Sequence, residues 1–115
     1  KVNGIDGTFI LDTGASNSCI CTSLEDKFKV ISKQSKEKAS SANSEMTNTK
    51  ISKSNIIQIG KWKDKINLIS FDINHINNAL SQKKVSPIDG ILGADILKKS
   101  NSILDYKSNK LFMKL

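Results

Sequence analysis

The chain has 115 residues, 37% of them apolar and 5% aromatic, and a formal net charge of +7. That length admits one domain, residues 1–115, with a modest core and no second lobe, and the low apolar share suits a subunit that completes its core by pairing. All of the positive charge is lysine, spread from Lys1 to Lys114 without a single arginine; this argues for a solvated lysine surface and against nucleic acid as a partner, because nucleic-acid sites cluster their cations and add arginine forks or stacking aromatics.

Taken in order, Val2-Asn3-Gly4-Ile5 carries a favoured two-residue hairpin connection at Asn3-Gly4. Phe9-Ile10-Leu11 reads as a buried strand that runs straight into Asp12, after which Thr13, Gly14, Ala15 and Ser16 turn the chain away. A carboxylate at the end of an apolar strand must be paired, hydrogen-bonded or functional, since desolvating it alone costs several kcal/mol. An Asp that merely caps its own turn is the competing reading.

Cys19-Ile20-Cys21 reads as a short strand, and Thr22-Ser23-Leu24-Glu25 as a capping box opening a brief helical turn. The two cysteines are too close for an unstrained disulfide and lack the His or Cys partners of a metal site. Buried reduced thiols, and with them a cytoplasmic location, are the expectation. Residues 32–54 are polar, and Ile56-to-Trp62 and Lys65-to-Ile73 read as two strands turning at Gly60. Trp62 is expected to pack at the rim, and the lone His75, followed by Ile76 and Leu80 at helical spacing, to lie at the surface or in a cap.

Beyond Pro87, Asp89-Gly90-Ile91-Leu92-Gly93-Ala94 leads into a short helix from Ala94 to Lys99, with Asp95 capping its start and lysines suiting its C-terminal dipole. Ser102 to Tyr106 and Lys110 to Leu115 form a final hairpin across Lys107-Ser108-Asn109. No apolar run is long enough to span a membrane. The chain opens in mid-pattern at Lys1-Val2-Asn3-Gly4, which leaves room for a preceding segment.

The string Phe9-Ile10-Leu11-Asp12-Thr13-Gly14-Ala15-Ser16 resembles the active-site loop of aspartic proteases, and Gly90-Ile91-Leu92-Gly93 resembles their hydrophobic-hydrophobic-Gly signature. The length points to the retropepsin-like group. Aligning Gly14 with Gly93 exposes a weak internal repeat in which Ile91 stands where a second Asp12 is needed, so one chain carries half of a carboxylate pair.

The resemblance implies an all-β, closed barrel-like single lobe with one short C-terminal helix, no cofactor and no metal. It further implies a homodimeric aspartic endopeptidase acting on a peptide or protein substrate, with Asp12 from each subunit as the catalytic dyad. Thr13 would brace the two loops, Gly14 would supply backbone contacts to carboxylates and substrate, and Ser16 and Asn17 would meet the substrate main chain. By its place in the order of elements, the polar stretch would carry a flap with Ser41, Ala42 and Asn43 at its substrate-facing tip. Retroviral members have an Asp two residues after the first glycine and an Arg after the second, joined in a salt bridge; this chain has Ser16 and Ala94. The alternative is a dimerisation or peptide-binding domain that keeps the scaffold without useful turnover.

Overall fold

Alternating apolar and polar residues between Lys50 and Phe71 build the longest pair of strands in the computed structural model, which describes residues 1–34, 40–41, 44–45 and 50–115. The strands in chain order are β1 (Phe9–Leu11), β2 (Cys19–Cys21), β3 (Lys33–Gln34), β4 (Ser40–Ser41), β5 (Ser44–Glu45), β6 (Lys50–Ile59), β7 (Trp62–Phe71), β8 (Gly90–Leu92), β9 (Ile103–Asp105) and β10 (Lys110–Phe112). Six of them form one sheet in the order β1-β8-β2-β7-β6-β3, while β9–β10 and β4–β5 are separate two-stranded ladders.

The β6–β7 hairpin turns at Gly60, whose φ of 57° is easy for glycine, and is interrupted between Ser52 and Asn55 by a register shift with Ser54 at φ 59°. β6 begins at Lys50, six residues before the apolar run at Ile56. Its early part carries Lys and Ser that propensity alone assigns to a loop, and pairing with Ser70, Ile69 and Leu68 of β7 overrides that preference.

Two apolar clusters lie on the sheet. One gathers Val2, Ile20, Phe28, Ile57, Trp62, Leu68 and Ile96; the other gathers Cys19, Cys21, Ile69, Phe71, Ile73, Ile88 and Ile91. Trp62 is a core residue, 5% exposed, where the sequence suggested a rim position. Asn3 and Gly4 make the expected tight turn at positive φ, bridging Val2 to Ile5. Val2 also pairs with Ile57, and the Asn3 amide accepts from Ile56 N and donates to Phe28 O, so the turn is tied to β6.

The Thr22–Leu24 turn is a 3₁₀ helix without the predicted capping box: no side chain caps it, and Glu25 instead accepts hydroxyls from Ser70 (2.6 Å) and Ser32 (2.8 Å). Two α-helices follow, α1 (Asn74–Gln82) and α2 (Ala94–Lys99). The helical spacing of Ile76 and Leu80 is realised in α1, which lays both against the second cluster and leaves His75 exposed. The Ile88 backbone is clamped to α1 by the Asn77 amide in both directions, at 2.8 and 3.1 Å.

In the β9–β10 hairpin, the Ser108 hydroxyl and N–H and the Lys107 N–H converge on Asp105 and hold its carboxyl below the usual range. Among the described residues no helix is long and apolar enough to cross a membrane.

Candidate active site

β1 is an edge strand, half-buried where a fully buried one was expected, and it runs parallel to β8 with Phe9 opposite Gly90, Ile10 opposite Ile91 and Leu11 opposite Leu92. The two halves of the internal repeat are therefore neighbours in space. Asp12 continues the ladder by one bond, its N–H donating to Leu92 O at 2.9 Å, and there the strand ends.

The next residues fold back on the carboxylate. Gly14 N–H donates to Asp12 Oδ1 at 2.9 Å and Ala15 N–H to Asp12 O at 3.2 Å, so the backbone fixes the side chain's direction at the mouth of the loop. Thr13, Gly14, Ser16 and Asn17 are exposed around a half-buried Asp12, whereas Ala15 is buried beneath them. The five residues Asp12, Thr13, Gly14, Ser16 and Asn17, all expected at the site, thus share one loop surface.

The expected flap residues are placed less completely. Ser41 lies in β4, paired with Ser44 of β5 in a ladder outside the main sheet; Ala42 and Asn43 lie outside the described residues.

What holds the loop is a set of contacts that sequence reasoning missed. Ser18 is fully buried: its N–H donates to Asp95 Oδ2 at 2.8 Å, its hydroxyl donates to Asp95 Oδ1 at 2.7 Å, and Ser18 Oγ accepts Gly93 N–H at 2.9 Å. Ala94 N–H adds a bond to Ala15 O at 2.7 Å. Asp95 sits in the first turn of α2 as expected, but no side chain caps that helix at Gly93; the carboxylate spends its lone pairs on Ser18 and on Ile96 N–H. Joining the same two segments as the missing Asp–Arg pair, this network ties the Asp12 loop to α2 with one carboxylate and no partner cation.

Close approach explains the two glycines of the second motif. A Cβ on Gly93 would lie 2.6 Å from Ala15 O and 3.0 Å from Asn17 O, and one on Gly90 would lie 2.1 Å from Cys19 O. The 2.6 Å and 2.1 Å approaches are to backbone oxygens and closer than a Cβ can stand, so backbone crowding reserves these positions for glycine.

Cys19 and Cys21 are buried free thiols, as expected. Burial pushes the Cys19 thiol up to about 12, with Asp95 and Asp12 adding to the rise against the opposing bond from the Ile91 backbone. Cys19 therefore offers no nucleophilic thiolate beside the loop. Among the described residues no group of three His, Cys, Asp or Glu side chains is gathered as metal ligands.

A single-lobed sheet that delivers one Asp-Thr-Gly loop against a hydrophobic-hydrophobic-Gly strand defines a retropepsin-like domain. The aspartyl protease family model matches residues 1–96, and the chain belongs to that family. Among solved structures it is similar to the retroviral protease-like domain of Ddi1 from Leishmania major, with 16% identity and a TM-score of 0.60 over 98% of this chain and 82% of that one. No curated protein matches the sequence.

Proposed function

We propose that the protein is an aspartic endopeptidase, active as a homodimer in which Asp12 and its symmetry mate form the catalytic dyad. The observation that carries the reading is the Asp12 carboxylate held by Gly14 N–H at the end of β1, with Thr13 and Gly14 exposed beside it. One subunit supplies one such carboxylate, and hydrolysis by this chemistry needs two. A two-fold axis at the loop mouth would complete the pair.

Two carboxylates in close contact share one proton, because both cannot ionise at that separation. The ionised member removes a proton from a water lying between them; the resulting hydroxide attacks the scissile carbonyl, and the protonated member donates to its oxygen. Collapse of the tetrahedral intermediate breaks the C–N bond as the leaving nitrogen takes a proton from the dyad. Asp12 does the chemistry, Gly14 N–H orients it, Thr13 braces the two loops, and the exposed edge at Ser16 and Asn17 receives the substrate main chain.

The C-terminal hairpin supports the dimer. Among the described residues β9 and β10 pair only with each other, and their directly opposed residues Ile103 and Phe112 are 66% and 52% exposed. An apolar cross-strand pair standing in water on an unextended ladder fits a surface that a second copy covers.

The deciding experiment is cleavage of a diverse peptide mixture by wild type and by Asp12→Asn between acidic and neutral pH. The expected result is a loss of about 10²–10⁴-fold, the usual worth of a general acid–base group, with unchanged circular dichroism. A wild-type dimer that binds peptides and cleaves none would assign the domain to peptide binding instead.

A further inference from the structure

Beside Asn17, at the far end of the Asp12 loop, lies a cavity of about 430 Å³ lined by Asn17, Ser54, Lys65, Asn67, Asp95 and Lys99. A second cavity of about 460 Å³ shares Lys99 with the first and adds Lys61, Lys63 and Lys114. Together they run along the part of β7 from Trp62 to Asn67, with Lys63, Lys65 and Asn67 exposed at alternate positions and the buried Trp62 and Ile66 contributing to the walls between them.

Charge in this groove is lopsided. It holds five lysines against two aspartates, Asp64 and Asp95. Asp95 already receives Ser18 N–H, Ser18 O–H and Ile96 N–H. Asp64 accepts Lys65 N–H and stands 3.7 Å from Lys99 Nζ, which also donates to Lys65 O at 2.6 Å. Both aspartates and Lys99 are thus engaged within the fold, whereas Lys63 and Lys65 have no ion-pair partner among the described residues.

We infer that this groove is a specificity site for acidic side chains flanking the scissile bond, with Lys65 and Lys63 as the residues that read them. An extended peptide repeats its side chains on one face every ~6.8 Å, the spacing of alternate residues on β7, so a substrate lying along the lysine face brings carboxylates at alternate positions to successive lysines. The inference rests on the protease reading and deepens it. In a two-fold dimer the groove occurs twice, once on each side of the scissile bond, so acidic residues on both flanks are favoured.

The test measures cleavage and, separately, fluorescence polarisation binding for peptides in which Glu, Gln or Lys is scanned along both flanks. It uses wild type, Lys65→Gln, Lys65→Glu and Asp12→Asn, with Lys83→Gln as a control at the end of α1, outside both cavities. Exposed ion pairs are weak, so wild type is expected to prefer Glu over Gln by about three- to five-fold at the favoured position, a preference that fades with salt. Lys65→Gln is expected to abolish the preference, Lys65→Glu to turn it towards Lys, and Lys83→Gln to leave it intact.

Cleavage with no charge preference, or a preference untouched in Lys65→Gln, would overturn the inference while leaving the protease standing. Lys65-dependent binding of Glu peptides by both wild type and Asp12→Asn, without cleavage, would sustain the groove and reject the protease. A single-stranded oligonucleotide that displaces the Glu peptide more tightly than peptides compete would reassign the lysines to nucleic acid.

Discussion

Ser18 is the residue on which the loop's geometry depends most. Replacing it with Ala removes the hydroxyl that donates to Asp95 Oδ1 and accepts from Gly93 N–H, orphaning a buried backbone donor and one bond of a carboxylate. The expected cost is about 1–3 kcal/mol in urea-monitored unfolding, accompanied by reduced cleavage because the Asp12 loop loses its tie to α2. Ser18→Thr keeps the hydroxyl and is expected to recover part of both. The neighbouring Cys19 predicts a pH effect. Its folded value of about 12 lies above the ordinary 9.0, so folding favours the neutral thiol. That contribution is complete below pH about 9 and disappears as pH rises towards 12. Unfolding free energy of wild type is therefore expected to fall more steeply over that window than that of Cys19→Val, the comparison cancelling the common titration of lysines.

At the scale of elements, the strand β8 is squeezed between β1 and β2, parallel to the first and antiparallel to the second. Gly90 makes this possible, with the Phe9 ring 2.7 Å and Cys19 O 2.1 Å from where a Cβ would stand. Gly90→Ala must open the β2–β8 pairing, and about 3 kcal/mol or more of destabilisation is expected from forcing atoms into a filled space. Circular dichroism and thermal melting would show it as a large fall in Tm or a failure to fold. A substitution at Gly60, where a Cβ meets nothing within 4 Å, is penalised only through its φ of 57° and is expected to be milder.

At the scale of the whole molecule, the exposed Ile103–Phe112 pair bears on assembly. Phe112→Asp buries no new charge in the monomer, because Phe112 belongs to neither core cluster. Its expected effect is a folded monomer by sedimentation or light scattering, with cleavage lost in parallel. A dimer of undiminished stability in this variant would move the interface elsewhere on the surface.

The sequence by itself determined the elements whose cause is local. Apolar spacing marked the β6–β7 hairpin and α1, turn chemistry marked Asn3-Gly4, and the order strand, Asp12, small residues, glycine marked the loop that belongs to the aspartyl protease family. Only the tertiary structure decided what holds that loop. Ser18 and Asp95 are separated by 77 positions, and nothing in either neighbourhood announces the other. Read locally, Asp95 is a helix cap and Glu25 a capping-box residue; in the fold both carboxylates turn to distant hydroxyls, because a buried hydroxyl must find an acceptor wherever the sheet places one. The lysines divide in the same way. Their number and sign were plain from composition, but their alignment along β7 beside the Asp12 loop follows from the alternation of a strand whose register is set by its partners.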